Sequence, residues 1–137
     1  MSNVAFRQKV RSFAREVTER PEAAARAIAL QLLRSVVLLS PVDTGRFRGN
    51  WSVQFDANPQ QPAGVDPSGD ATITRGEATL GEFKLGVMPS IFILNHLPYS
   101  SPLEYGHSKQ APEGMVRITV QEFQRLWREV ARELTSE

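Results

Sequence analysis

The chain has 137 residues, 41% of them hydrophobic and 23% charged, with a net charge of +1. That length and balance describe one domain, 1–137, with a core of its own, and they exclude a disordered or fibrous chain and any overall charge bias toward a polyanion. The absence of cysteine excludes disulfides, thiolate catalysis and cysteine-ligated metal.

Residues 1–40 read as helical. Arg7, Lys9, Arg11 and Arg15 break every apolar run near the start, so neither a signal peptide nor a membrane span of roughly 20 apolar residues is expected there. Phe6, Val10, Phe13 and Val17 recur at steps of four and three and form one helical stripe. Pro21 either begins a second helix or kinks the first. Beyond it, Ala24, Ile28, Leu32, Val36 and Leu39 keep a helical period until Pro41 pushes the preceding residue out of the α region. A turn at 41–50 follows, built on Pro41, Asp43, Thr44 and Gly45, in which glycine supplies a positive φ and Asp or Thr braces the bend.

Sheet and loops are expected over 51–118. Trp51, Val53 and Phe55 alternate with Ser52, Gln54 and Asp56, the period of a half-buried strand. The proline-rich stretch 58–69 reads as a mobile loop. Asp70 is placed to cap a helix that buries Ile73, Leu80 and Phe83 and stops at Gly86, with Gly76 and Gly81 counting against it. "SIFILN", Ser90 to Asn95, suits a strand covered on both faces and paired with the Trp51 strand. After a loop over 98–114 with only a turn or two of helix, "MVRIT" alternates as a strand. Thr119 and Glu122 then form a capping box, with Ile118 and Phe123 as its hydrophobic staple, for a C-terminal helix at 119–135. Its apolar stripe is Val120, Phe123, Trp127, Val130 and Leu134. The fold class is therefore α+β: long N-terminal helices and a C-terminal helix packed on a small, mainly antiparallel sheet.

Asp43-Thr44-Gly45 is the tripeptide that carries the catalytic aspartate of pepsin-like and retroviral proteases, and a homodimer would supply the second carboxylate. Such an aspartate sits on a loop between apolar strands. Here the preceding segment reads as helix, Pro41 stands two residues upstream, and Arg46 replaces the usual small residue, so a turn is the better reading and no catalytic residue is assigned. His96 and His107 lack partners at metal-ligand spacing, although Asp43 and Glu104 carry carboxylates, and no metal or cofactor is expected. Ser100, Ser101 and Ser108 near His107 lack a nucleophile elbow, and Gly45 and Gly49 lack the Lys-Ser or Lys-Thr of a phosphate loop. Seven basic residues (Arg7, Lys9, Arg11, Arg15, Arg20, Arg26, Arg34) outnumber Glu16, Glu19 and Glu22 at the N-terminal end. With Arg46, Phe47, Arg48 and Trp51 they keep a DNA-binding module open as an alternative.

Two segments, "SPVDTGRFRGNW" at 40–51 and "LPYSSPLEYGHSKQAPEGMVRITVQEF" at 97–123, resemble the paired signature of the small neck or tail-completion proteins of tailed bacteriophages. In that family a PVDTG turn follows a long helix, and a PYA-x-x-LEYG segment precedes a P-x-GM turn and a C-terminal helix. Ser100 stands here where alanine is usual, and 58–69 lies outside the signature. The resemblance implies a non-enzymatic virion protein, made in the host cytoplasm, that forms a homo-oligomeric ring, a hexamer, at the head-to-tail junction or the tail top. It would complete the tail and join it to the capsid, as a completion factor, a tail terminator or a capsid-side connector. Its partners would be copies of itself and adjacent head-closure or tail-tube rings, close to packaged DNA and away from any membrane. The interface residues expected in the two loops are Arg46, Phe47, Arg48, Tyr99, Leu103, Glu104, Tyr105, His107 and Lys109, with internal pairing of Asp43 to Lys109 or to an arginine as the alternative for some of them.

Overall fold

A computed structural model of the chain describes residues 3–60, 64–98, 100–106, 109–111 and 114–135. Among them are five α-helices, α1 (Asn3–Glu19), α2 (Pro21–Leu39), α3 (Asp70–Leu80), α4 (Ser100–Glu104) and α5 (Val116–Thr135). Two short strands, β1 (Ser52–Gln54) and β2 (Phe92–Leu94), pair antiparallel with Ser52 opposite Leu94 and Gln54 opposite Phe92. The fold is α+β, with 60% of the described residues helical. No described helix is long and apolar enough to cross a membrane.

Two apolar clusters hold these elements together. Ala29, Leu33, Val36 and Val37 of α2 meet Phe47, Trp51, Val53, Leu80, Leu97 and Met115 in the larger one, while Val10 and Ala14 of α1 meet Leu126 and Val130 of α5 in the smaller. Helix α1 buries Val10 and half-buries Phe6, Phe13 and Val17, the stripe expected from its spacing. At Arg20 the backbone leaves the helical region, so Pro21 begins a new helix at its first turn rather than kinking the old one. Helix α2 ends at Leu39, and Ser40 is extended, as a residue before proline must be.

The face that α2 turns inward differs from the one its periodicity suggests. Ala24, Ala29, Leu33, Val36 and Val37 are buried, Ile28 and Leu32 only half-buried, and Leu39 exposed. This helix is apolar nearly all round, so several stripes fit a helical period and the larger cluster decides between them. In α5, similarly, Val130 is buried with Thr119 and Leu126, whereas Val120 and Trp127 of the expected stripe face outward.

Further corrections concern local caps. Gln54, expected to face solvent, is buried and satisfied: its amide donates to the Asn58 carbonyl at 2.6 Å and its oxygen accepts the Ser52 hydroxyl at 2.8 Å. Gly69, at φ +83°, precedes α3, so Asp70 is the first helical residue and not its cap. The helix stops at Leu80, well short of Gly86. Its glycine at 76 is a contact point, where a Cβ would strike the buried Leu33. The expected "MVRIT" strand is the start of α5 instead. Thr119 therefore lies inside the helix, its hydroxyl bonded to Ser35 at 2.7 Å, and it forms no capping box; Ile118 and Phe123 are likewise helical rather than a staple. The loop expected to be mobile is fixed in its second half, since the Asp66 amide donates to the Gly45 carbonyl at 2.9 Å. Residues 61–63 lie outside the described residues.

Candidate functional site

The two segments of the paired signature meet at the C-terminal end of α2. On the first, Ser40 donates its hydroxyl to the Val36 carbonyl at 2.5 Å and accepts the Trp51 indole N–H at 2.7 Å, tying the end of α2 to the start of β1. Gly45 adopts φ +92°, and its carbonyl accepts the Gly49 and Asp66 amides, each at 2.9 Å. The Thr44 hydroxyl takes the Arg46 amide at 3.2 Å, the brace expected of it. Asp43 is exposed and makes no hydrogen bond or ion pair among the described residues.

Phe47 and Arg48 point inward from this turn. Phe47 is buried, edge-on to Trp51 with ring centroids 5.8 Å apart. The Arg48 guanidinium donates to the carbonyls of Leu38 at 3.1 Å, Ser40 at 2.9 Å and Pro67 at 2.9 Å. A cation thus covers the carbonyl end of α2, where the helix dipole favours it, and at the same time staples the 64–69 loop. Arg48→Ala is expected to cost about 2–3 kcal/mol in urea unfolding, with lysine recovering only part because an ammonium lacks the planar fork.

Just ahead of the second segment, the Asn95 amide donates to the Phe47 carbonyl at 2.9 Å, and within the segment Leu97 enters the larger cluster with Leu103 packed against it. Gln110 completes the joint. Its amide donates to the Val42 carbonyl at 2.9 Å, while its oxygen accepts the Val42 amide at 2.8 Å, so one side chain mimics a strand pairing across 68 residues of sequence. The pairing expected of Asp43 with Lys109 or an arginine is replaced by this neutral contact.

Glu104 is the charged centre of the second segment. Its carboxylate accepts the amides of Met115 at 3.0 Å, Val116 at 2.8 Å and Arg117 at 3.0 Å, as well as the Arg117 Nε at 2.9 Å. The Arg117 guanidinium also donates to the Glu104 carbonyl and lies over the Tyr105 ring, 5.2 Å from its centroid. A remote carboxylate therefore caps α5 at its positive end. Burial alone would push the Glu104 carboxyl up; the bonds from Val116, Arg117 and Met115 outweigh it and hold the group below its ordinary 4.5. Asp66 caps α3 in the same way, accepting the Thr72 amide at 2.8 Å and hydroxyl at 2.7 Å. Against the upward push of burial, bonds from Thr72, Gly69 and Ser68 hold it below 3.8.

Of the expected interface residues, Phe47, Arg48, Leu103 and Glu104 make contacts within the fold, and Arg46, Tyr105 and Lys109 are exposed. Tyr99 and His107 lie outside the described residues, as does Ser108. Of the serine candidates, Ser100 is a turn former, its hydroxyl donating to the Leu97 carbonyl at 2.7 Å. The protease reading needs an aspartate between apolar strands, whereas Asp43 lies between α2 and a turn of 3₁₀ helix at Arg48–Asn50. His96 is exposed, and among the described residues no group of three metal-ligating side chains occurs. Along α1, Arg7, Arg11 and Arg15 are exposed once per turn, but Glu19, Glu129 and Glu133 line the same clefts, so the face is mixed in charge. Gln110, Asn95 and Asp66 were not anticipated. Only Asp66 had a local signal, the turn-forming run "DPSGD" ahead of a helix.

Compared with protein-family models, with curated proteins and with solved structures, the chain matches none.

Proposed function

We propose that the chain is a non-enzymatic structural component of a tailed bacteriophage, forming a ring at the head-to-tail junction or the tail top that completes the tail and joins it to the capsid. The likeness of the two signature segments supports this reading, and so does their convergence on one joint, because a signature that closes on itself is a folding unit rather than two coincidental strings. The observation that carries it is the outer flank of α5. Roughly 80° round the helix from the buried Thr119, Leu126 and Val130, Val116, Val120 and Trp127 stand 40%, 42% and 38% exposed. Phe123 stacks on Trp127 with ring centroids 6.1 Å apart. An aromatic and branched-aliphatic line left open to water is the composition of an interface core.

A tag on the chain is expected at the head–tail junction or tail top in images of mature particles. A lysate that makes heads and tails without the chain should accumulate them unjoined until the purified protein is added; particles that join without it would sink the proposal. Tyr105→Ala and Arg46→Ala should each leave stability within about 1 kcal/mol, since the first forfeits only a surface cation–π contact and the second an exposed side chain. Joining should nevertheless fall. Unfolded variants, or folded ones that join normally, would remove these two residues from the interface.

A further inference from the structure

Helices α1, α2 and α5 leave a groove of about 250 Å³ between them, lined by apolar atoms of Phe6, Ile28, Leu32, Phe123 and Leu126. Its rim carries Lys9, Glu122, Arg125 and Gln31. An apolar cavity of about 150 Å³ takes a benzene-sized group and drug-sized ligand sites start at about 300 Å³, so this space matches one or two aliphatic side chains. The groove also accounts for Ile28 and Leu32, the α2 residues that fit the helical period and yet stay outside the larger cluster.

A projection of matching chemistry exists on the same chain. After α3, Leu85 and Met88 bridge across a tight turn, and the turn holds out Leu85 at 52% and Val87 at 76% exposure. It is anchored rather than loose: the Leu85 amide donates to the Glu22 carboxylate at 2.9 Å, and Arg26 donates to the Phe83 carbonyl at 2.6 Å. Glu82 and Lys84 flank it, both exposed. These charges complement the rim, with Lys84 suited to Glu122 and Glu82 to Lys9 or Arg125.

Turn and groove sit on opposite sides of α2. The turn docks on Glu22 and Arg26, the groove on Ile28, Gln31, Leu32 and Ser35. At 100° per residue the two sets point roughly 150° apart. One chain therefore cannot fill its own groove with its own turn, whereas a second copy can. We infer that the groove between α1, α2 and α5 receives the Leu85–Val87 turn of an adjacent copy. The contact is heterologous, so each copy keeps one turn and one groove free for the next and the series closes as a ring if the rotation allows. It deepens the assembly reading above and shares its premise that copies meet one another.

The cysteine-free chain provides a clean background for cross-linking. Val87→Cys and Gln31→Cys both alter exposed side chains, so both variants should fold like the parent by circular dichroism. Mixed under mild oxidation at about 1 mM, enough to half-fill a contact with a millimolar Kd, the two should give a disulfide-linked dimer. Either alone should stay largely unlinked, and the double variant should give a ladder of linked oligomers. Adding Leu85→Asp to the double variant should abolish that ladder. The inference is overturned if the mixed pair links no better than Val87→Cys with Lys109→Cys, or if Val87→Cys links to itself as well as to Gln31→Cys, the mark of a symmetric dimer. A ladder without incorporation into particles would defeat the phage reading and leave the contact standing. Incorporation without the cross-link would do the reverse.

Discussion

Gly45→Ala is expected to destabilise the fold by about 3–5 kcal/mol, a large share of the roughly 5–15 kcal/mol that holds a domain of this size together. Two independent costs add. At φ +92° a side chain is strained by about 1–3 kcal/mol before any contact is considered. A Cβ placed there would also lie 2.5 Å from the Pro67 nitrogen and 2.8 Å from its Cα. Those are backbone atoms, so no rotamer change relieves the clash, and overpacking of this kind costs about 1–3 kcal/mol more. Moving Pro67 away would break the bond from the Asp66 amide to the Gly45 carbonyl and pull on the Arg48 staple. Asp43→Asn, two residues earlier, should change stability by less than about 0.5 kcal/mol, because its side chain is exposed and makes no hydrogen bond or ion pair among the described residues. Urea midpoints for the two variants check the contrast. A Gly45→Ala protein within about 1 kcal/mol of the parent would mean that the turn is held differently.

Glycine and proline made this turn legible, because each restricts backbone angles whatever the tertiary context. Pro21, Pro41 and Gly45 accordingly sit where the sequence predicts, and the β1–β2 pairing follows from one alternating and one apolar run, each next to turn residues. Side-chain direction was less legible. Helix α2 offers several apolar stripes, and only packing against Trp51, Val53 and Met115 selects Leu33 and Val37 for the interior. The start of α5 was misplaced for a different reason. Thr119 and Glu122 have the spacing of a local cap, yet the capping carboxylate comes from Glu104, eleven residues before Met115. No window short enough to show a capping box contains that pair. The same holds for Gln110 and Val42, whose contact spans 68 residues of sequence. At the candidate site, the motif residues were identifiable from sequence but their division between inward and outward positions was not, since an arginine that staples carbonyls, such as Arg48, and one that is exposed, such as Arg46, look alike in a string.

Removing the Glu104 carboxylate should be the other large loss, and its dependence on pH separates the charge from the shape. Glu104→Ala leaves the amides of Met115, Val116 and Arg117 without their acceptor at the first turn of α5 and frees Arg117. Loss of a cap together with unpaired amides costs about 3 kcal/mol, a fall in Tm of roughly 10 °C for a chain of this length. A methyl group on the neighbouring turn should have a similar effect: Gly114 is at φ +83°, and a Cβ there would strike the Glu104 carbonyl and carboxylate. Glu104→Gln keeps an acceptor oxygen and should lose about half as much as alanine at pH 7, since the bonds that remain are no longer charge-assisted. Because the folded-state pKa lies below the ordinary 4.5, the folded protein binds fewer protons than the unfolded chain between those two values. Glu104 therefore contributes its full stabilisation above about pH 4.5 and loses it as pH falls through the depressed folded value. The gap between parent and Glu104→Gln should be constant from neutral pH down to about pH 4.5 and close between there and the depressed folded value. A residual slope below 3.8 should remain in the variant, from Asp66 on α3. If the gap stays open at low pH, the loss in the variant does not come from the missing charge, and the cap described for α5 is wrong.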